Sequence, residues 1–306
     1  MKKFSEFYHD INGELRENFP LANLTWFKVG GPAQMLFIPE NKDDLVQFIK
    51  KCPIEYPKTV IGAGSNLLIR DGGVPGIVIS TQKVNSIKQF DLSLYAECGA
   101  LDTTISREAS KYGITGLEFL IGIPGTIGGG IKMNAGSYGM EIKDILQDVE
   151  VIDYSGSVFK INSDELEMEY RKSNTPNDWL FLSCNLRGEK SESHKIRSKM
   201  KEIMKDRKNN QPINKLTSGS TFKNPYKMKS WELIDSAGCR GLTVGNAKVS
   251  EKHCNFLINN NGKANSSEIE KLGNIVKEKV LKKSGINLEW EIIRIGNEIE
   301  NELNHE

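Results

Sequence analysis

The sequence has no excess of either charge. Its 41 lysines and arginines face 40 aspartates and glutamates, for a net charge of +1. No overall field would therefore draw the chain to nucleic acid or to an acidic membrane surface. Any anionic ligand must be held by a local site, and we expect neither nucleic acid nor a membrane among the partners.

Cysteine is scarce and has no pattern. The five residues are Cys52, Cys98, Cys184, Cys239 and Cys254. They are odd in number and contain no CxxC pair, which argues against a disulfide framework and against a zinc site. We expect reduced thiols and no bound metal.

Long apolar runs are also missing. The first fifteen residues carry two lysines but no apolar core of the kind a signal peptide needs. The most apolar stretch, residues 113–131, is interrupted by Glu118, Pro124 and several glycines, so it cannot form a spanning helix. A cytoplasmic location is expected.

None of the four histidines is placed by spacing to act as a general base for a serine nucleophile. His9 and His305 lie near the termini, His194 lies in a charged segment, and His253 follows a polar turn. A Ser-His-Asp hydrolase therefore explains the sequence poorly.

The length favours two or three compact units. Helices are predicted at residues 1–18, 43–51, 103–112, 189–208 and 231–237, and in a segment that Asn265 and Glu268 cap and Gly285 ends. Strands are predicted at residues 59–62, 76–80, 94–98, 149–154, 158–161, 179–186, 255–259 and 288–295. The charged segment 189–208 is expected to connect two domains.

Two glycine-rich loops stand out, at residues 62–66 (GAGSN) and 122–130 (GIPGTIGGG). Glycine lets successive backbone N–H groups converge on an anion. Leu67 stands where a dinucleotide fingerprint needs its third glycine, and no GxxxxGK[ST] motif occurs. Each loop alone is equally consistent with a structural turn. Together they favour a long cofactor with a central pyrophosphate, a description that FAD fits.

Three further segments carry reactive groups. Residues 218–225 (SGSTFKNP) place hydroxyls, a lysine and an amide in one turn, although most such turns have only a structural role. Arg171 could hold a carboxylate through two hydrogen bonds, or could be a surface arginine. Glu291 could be a partly buried acid or an exposed edge residue.

These motifs occur together in the order found in one enzyme family. The chain resembles the UDP-N-acetylenolpyruvoylglucosamine reductases over nearly its whole length. The matching segments are TWFKVGG (25–31), GAGSNLL (62–68), GLEFL (116–120), GIPGT (122–126), MNAG (133–136), the pair Tyr170 and Arg171 with Ser173, GSTFKNP (219–225) and residues 291–296.

The resemblance implies an α+β fold. A two-subdomain FAD-binding region of the vanillyl-alcohol-oxidase (PCMH) type, residues 1–85 and 86–200, would precede a smaller α+β substrate-binding domain, residues 201–306. It also implies non-covalent FAD and NADPH as the reductant. NADPH and UDP-N-acetylglucosamine enolpyruvate would use one cleft in turn, and we expect a monomer.

The resemblance also assigns residues. Arg171 would bind the substrate carboxylate, Glu291 would help to stabilise the enol intermediate, and Ser220 would donate a proton. Tyr170 and Asn224 would contact the substrate. The cofactor would be held by Gly62, Ala63, Gly64, Ser65, Asn66, Leu67, Gly122, Ile123, Pro124, Gly125, Thr126, Gly128, Gly129, Ala135 and Gly136.

Three other functions remain open at this point. A flavin oxidase acting on a hydroxy acid or alcohol would share the two loops but would leave Ser220 and Glu291 without a reason. A non-catalytic nucleotide-binding protein would leave the presence together of Arg171, Ser220 and Glu291 without a reason. An RNA-binding protein would use the lysines of residues 195–208, but interleaved acids favour a solvated helix.

Overall fold

A computed structural model describes residues 11–299, which contain eighteen strands and six α-helices. The strands are β1 (Glu14–Pro20), β2 (Pro32–Ile38), β3 (Lys58–Ile61), β4 (Leu67–Ile69), β5 (Val74–Ser80), β6 (Ile87–Phe90), β7 (Ser93–Glu97), β8 (Ile114–Thr115), β9 (Gly136–Ser137), β10 (Met140–Glu141), β11 (Leu146–Asp153), β12 (Val158–Asn162), β13 (Trp179–Arg187), β14 (Glu189–Lys190), β15 (Thr243–Val244), β16 (Ala247–Val249), β17 (Leu257–Asn259) and β18 (Ile293–Ile295). The helices are α1 (Lys42–Lys51), α2 (Asp102–Lys111), α3 (Ile127–Lys132), α4 (Ser193–Asn210), α5 (Ser230–Ser236) and α6 (Ser266–Ser284).

The chain divides into two compact units. In its described part the first unit comprises residues 11–16, 35–63 and 76–206, and the second comprises residues 17–34, 64–75 and 207–299. The last passage of the chain from the first unit to the second lies within α4. The finer division of residues 1–200 into two subdomains stays a prediction.

The first unit is built around a five-stranded antiparallel sheet with strand order β12-β11-β13-β7-β6. Residues 180–184 of β13 are all buried, as expected for a central strand covered on both faces. Helix α3 packs against β13 and β7. Since α3 continues directly from the second glycine-rich loop, the sheet fixes the position of that loop.

A four-stranded sheet has the order β1-β2-β5-β3. Strands β3 and β5 are parallel, with Lys58 opposite Ile77 and Ile61 opposite Ser80. The first glycine-rich loop begins immediately after β3, at the carboxyl end of that strand.

The second unit is organised by helix α6. Asn265 accepts the N–H of Glu268 and Glu268 returns a hydrogen bond, which is the capping box expected from the sequence. Gly285 ends the helix in the left-handed conformation, with φ 73°. One face of the helix is apolar, and its residues Ile269, Leu272, Val276 and Val280 are fully buried in the core of this unit.

Two predicted elements are wrong in part. The helix at residues 1–18 is contradicted by β1, which covers residues 14–20 and hydrogen-bonds to β2; residues 1–10 lie outside the described part. The helix at 189–208 starts only at Ser193, because residues 189–190 pair with β8. In both places pairing with a distant strand overrides the local helical pattern.

The last predicted strand is shorter than expected. Only residues 293–295 of the segment 288–295 form a strand, which runs parallel to β4 with Ile293 opposite Leu67. The other predicted helices and strands are confirmed within a few residues at their ends. No helix within residues 11–299 combines the length and the apolar character needed to cross a membrane.

An isolated acid lies in the core of the first unit. Asp102, the first residue of α2, is fully buried, and neither carboxylate oxygen has a hydrogen-bond partner among residues 11–299. The buried hydroxyl oxygen of Ser106, one helical turn later, also has no hydrogen-bond partner among residues 11–299. Burial raises the pKa of the Asp102 carboxyl well above its ordinary value, because the charged form would lose its hydration.

We predict that Leu272→Ala lowers the free energy of unfolding by about 2–5 kcal/mol, because it leaves a cavity in a closely packed core. Leu281→Ala on the same helix is the matched control, since 47% of the Leu281 surface is exposed. Urea denaturation measures both variants. Equal losses in the two would contradict the core position of Leu272.

We predict that Asp102→Asn changes the free energy of unfolding in a pH-dependent way. The difference between the variant and the wild type should favour the variant more at pH 8 than at pH 4. Above about pH 4 the unfolded carboxyl loses its proton while the folded one keeps it, so the folded state binds more protons and its stability falls as pH rises. The slope that disappears is at most about 1.4 kcal/mol per pH unit. Urea denaturation across this pH range measures the slope, with Asp91→Asn at an exposed position as the control; an unchanged slope would show that Asp102 ionises in the folded protein.

Candidate active site

The two glycine-rich loops meet in the first unit. A methyl group added at Gly62 would lie 2.1 Å from the hydroxyl oxygen of Thr126, so the first loop packs against the second without room for a side chain. At Gly64 the backbone has φ +65°, and an added methyl group would lie 2.0 Å from the carbonyl oxygen of Leu24. Both positions require glycine.

Several backbone donors in these loops are available to a ligand. The N–H groups of Ala63, Gly64 and Ser65 donate to no protein acceptor within residues 11–299, and neither do those of Gly125 and Thr126. Consecutive free N–H groups in glycine-rich turns form sites for phosphate oxygens. The loops therefore fit the pyrophosphate of a dinucleotide such as FAD without any lysine or arginine.

The predicted cofactor-binding residues are mostly half-buried. Gly64, Gly122, Thr126 and Ala135 are buried and Gly129 is exposed. The half-buried ones are Gly62, Ala63, Ser65, Asn66, Leu67, Ile123, Pro124, Gly125, Gly128 and Gly136.

Tyr170 and Arg171 form the centre of a tight turn in the first unit. Glu169 and Lys172 exchange both backbone hydrogen bonds around them, at 2.9 and 3.2 Å. Arg171 has φ 55°, a left-handed backbone conformation that residues other than glycine rarely adopt. Such residues often occur at functional positions. Its guanidinium carbon lies 4.9 Å from the centre of the half-exposed Tyr170 ring, in stacking distance.

The Arg171 guanidinium is held by Gly136, a predicted cofactor-binding residue, and by Glu141, which sequence reasoning missed. Its Nη2 donates to the carbonyl oxygen of Gly136 at 2.9 Å, and its Nη1 lies 3.9 Å from Oε1 of Glu141. Glu141 is fixed in turn by Asn134, whose Nδ2 donates to Oε2 at 3.0 Å and to the carbonyl oxygen of Glu169 at 2.9 Å. Asn134 is fully buried. Asn134 could have been found from the sequence because it lies inside the MNAG segment, whereas no sequence motif marks Glu141.

In the second unit the Ser220 turn is tied to the closing segment. Ser220 is half-buried, and the carbonyl oxygen of the next residue, Thr221, accepts the backbone N–H of Glu291 at 2.8 Å. Lys223 donates its N–H to the carbonyl oxygen of Glu289 at 2.9 Å. Two candidate catalytic residues 71 positions apart, Ser220 and Glu291, are therefore brought to the same strip of backbone.

Glu291 is also held by Asn66, which belongs to the same unit. Asn66 donates from Nδ2 to the Glu291 carbonyl oxygen at 3.1 Å and accepts the N–H of Ile293 at 3.0 Å. The Glu291 side chain is half-buried, whereas Glu289 is exposed. The Arg294 guanidinium lies 4.7 Å from the centre of the Trp290 ring.

Asn224 has a structural contact of its own. It is exposed, and its side-chain oxygen accepts the N–H of Ser230, the first residue of α5, at 3.0 Å. A substrate contact by Asn224 remains a prediction.

The second unit also has a surface cavity of about 480 Å³. Lysines 208, 215, 248 and 252 are among its lining residues, and none of the predicted site residues is. The described residues contain no cluster of three or more His, Cys, Asp or Glu side chains that could hold a metal ion.

We predict that Gly62→Ala destabilises the flavin-free protein by about 1–3 kcal/mol, because the new methyl group overlaps the Thr126 hydroxyl. Gly129→Ala is the control: its methyl group would approach the same oxygen only to 3.5 Å. It lies in α3, where alanine is preferred to glycine. Thermal unfolding of both apoproteins measures the difference, and a tolerated Gly62→Ala would mean that the loops do not meet as described.

Two family models match the chain. The UDP-N-acetylenolpyruvoylglucosamine reductase C-terminal domain matches residues 211–295, and an FAD binding domain matches residues 33–162. The predicted fold class, an FAD-binding region followed by a smaller α+β domain, is confirmed.

Curated relatives align over almost the whole chain. A UDP-N-acetylenolpyruvoylglucosamine reductase of Bradyrhizobium is 48% identical over 288 residues, 94% of this chain and 94% of the relative. The protein of the same name from Paramagnetospirillum magneticum is 47% identical over 287 residues, 94% of this chain and 93% of the relative.

A solved structure agrees with these relatives. The crystal structure of UDP-N-acetylenolpyruvylglucosamine reductase (MurB) from Thermus caldophilus matches with a TM-score of 0.78 at 33% identity, covering 93% of this chain and 99% of that one. Sequence and fold agree over the same span, and the chain belongs to the UDP-N-acetylenolpyruvoylglucosamine reductase family.

Proposed function

We propose that this chain reduces UDP-N-acetylglucosamine enolpyruvate to UDP-N-acetylmuramate in an NADPH-dependent, FAD-mediated reaction of peptidoglycan precursor synthesis, with Arg171, Ser220 and Glu291 as its catalytic residues. The relatives that support this assignment carry the reductase name and align over about 94% of the chain. The C-terminal family match favours the reductase over a flavin oxidase with an unrelated second domain.

The chain binds FAD non-covalently through the two glycine-rich loops. FAD, when bound, supplies the chemistry of accepting a hydride from NADPH and delivering it to the CH2 carbon of the enolpyruvyl group. The free N–H groups of residues 63–65 and 125–126 would receive the pyrophosphate oxygens.

Arg171 is proposed to bind the substrate carboxylate. Addition of hydride to the CH2 carbon moves negative charge toward the carboxylate, so a fixed guanidinium stabilises the transition state more than the ground state. Gly136 and Glu141 leave this guanidinium little freedom. Little reorganisation is needed when the charge develops.

Glu291 and Ser220 are proposed to complete the reduction. Glu291 must be protonated to help, because a second carboxylate would repel the growing charge, whereas a carboxylic acid can donate a hydrogen bond to it. Ser220 passes its proton to the carbon next to the carboxylate, and solvent replaces that proton. The observation that carries these roles is the hydrogen bond from Glu291 to the Thr221 carbonyl, which places the acid and the serine on adjoining backbone.

The proposal extends to partners and location. NADPH and the enolpyruvyl substrate would use the flavin in turn, in one cleft, and the protein would act as a cytoplasmic monomer. All five cysteines are free and buried, which suits a compartment where thiols stay reduced. Tyr170 and Asn224 would contact the substrate.

We predict that Ser220→Ala separates the two half-reactions. NADPH should reduce the flavin at the wild-type rate, whereas reoxidation by UDP-N-acetylglucosamine enolpyruvate should slow by about 10²–10⁴-fold, the usual contribution of a positioned proton donor. Anaerobic stopped-flow absorbance of the flavin measures both steps. Ser236→Ala, at an exposed serine of the same unit, is the control and should leave both rates unchanged.

Two outcomes would overturn the proposal. A wild-type flavin that stays reduced with this substrate but is reoxidised by oxygen would indicate another flavoprotein activity. Normal reoxidation in Ser220→Ala would keep the activity and remove Ser220 as the proton donor.

A further inference from the structure

We propose that Asn255 is a positioning residue that sets the placement of Ser220 and Glu291. This inference rests on the catalytic roles proposed above for those two residues. Asn255 is 4% exposed, so its side chain acts through its neighbours and does not touch the substrate. It lies in the turn that precedes β17.

The Asn255 side chain binds the backbone of one residue at both ends. Its Oδ1 accepts the N–H of Phe222 at 2.9 Å, and its Nδ2 donates to the carbonyl oxygen of Phe222 at 2.8 Å. The amide therefore pairs with Phe222 as a neighbouring strand would. A side chain can do this only if it carries a donor and an acceptor together, as asparagine does.

The Asn255 backbone holds the preceding residue as well. Its carbonyl oxygen accepts the N–H of Thr221 at 2.7 Å, and the Thr221 hydroxyl oxygen accepts the N–H of Leu257 at 3.2 Å. Residues 221 and 222 are consequently fixed by four hydrogen bonds to residues 255–257.

Residues 221 and 222 are joined directly to both candidate catalytic residues. Ser220 is covalently bonded to Thr221, and the Thr221 carbonyl oxygen accepts the N–H of Glu291 at 2.8 Å. Rotation of this peptide would move the serine hydroxyl and the acid together. Because Thr221 and Phe222 are fully buried, no water can replace the Asn255 contacts.

Asn255→Asp is the informative variant, because it has the same shape and keeps the acceptor but faces the Phe222 carbonyl with an oxygen. Asn259→Asp is the matched control. Asn259 is 3% exposed in the same unit, donates from Nδ2 to the Phe27 carbonyl oxygen at 2.8 Å and accepts the Ala264 N–H at 2.8 Å. Its side chain makes no hydrogen bond to residues 220–222 among the described contacts.

The measurement is anaerobic stopped-flow of the flavin-containing enzyme. In Asn255→Asp we expect reduction by NADPH within about twofold of wild type and reoxidation by UDP-N-acetylglucosamine enolpyruvate slowed by about 10–100-fold, as for a misplacement approaching 1 Å. Asn259→Asp should lower the melting temperature comparably but leave the ratio of the two rates unchanged. If Asn255→Asp yields no folded enzyme, Asn255→Ser is used, whose short hydroxyl cannot bridge both groups of Phe222.

A double variant connects the effect to the serine. In a Ser220→Ala background, Asn255→Asp should slow reoxidation by much less than it does alone, since residues acting through one another are not additive. The positioning role would be overturned if the effects of the two substitutions were fully additive. It would also be overturned if Asn259→Asp changed the ratio of the reduction and reoxidation rates as much as Asn255→Asp does. If Ser220→Ala is itself fully active, the proton-donor role of Ser220 fails instead, and if the wild-type flavin is not reoxidised by this substrate the proposed function fails, so these failures are distinguishable.

Discussion

The hydrogen bond from the Glu291 N–H to the Thr221 carbonyl oxygen is the contact that joins the two proposed catalytic residues of the second unit. A serine is a weak proton donor, and an acid stabilises developing charge only at short range, so both need fixed positions. Neither side chain holds itself in place. Asn255 fixes Thr221 and Phe222, and Asn66 fixes the Glu291 carbonyl, so the side-chain amides of these two residues hold the backbone of the half-buried serine and acid.

In the first unit, hydrogen bonds and a nearby carboxylate likewise fix the position of a cation, the Arg171 guanidinium. Arg171 has a left-handed backbone and a guanidinium held by Gly136 and Glu141, and the buried Asn134 connects Glu141 with the turn that carries Arg171. A nearby carboxylate lowers the net charge that the arginine presents. The same contact fixes the orientation of the guanidinium. A guanidinium that is already oriented stabilises a developing carboxylate charge without moving.

The glycine-rich loops show how a chain of net charge +1 can hold a dianionic pyrophosphate. Close packing of Gly62 on Thr126 removes the space for side chains, and backbone N–H groups are left as the available donors. Backbone amides carry no net charge, so they add no long-range attraction for other polyanions.

The sequence by itself determined whatever has a local signal. The capped helix α6 with its buried face, most strand positions and the two glycine-rich loops follow from neighbouring residues, and the set of motifs identifies the family. Only the tertiary structure revealed that Asn255, Asn134 and Glu141 hold the proposed catalytic residues, and that residues 14–20 form a strand. These features depend on hydrogen bonds between segments far apart in the chain, such as Thr221 with Asn255 and Glu291, and a partner 30 to 70 residues away leaves no periodicity or spacing to read.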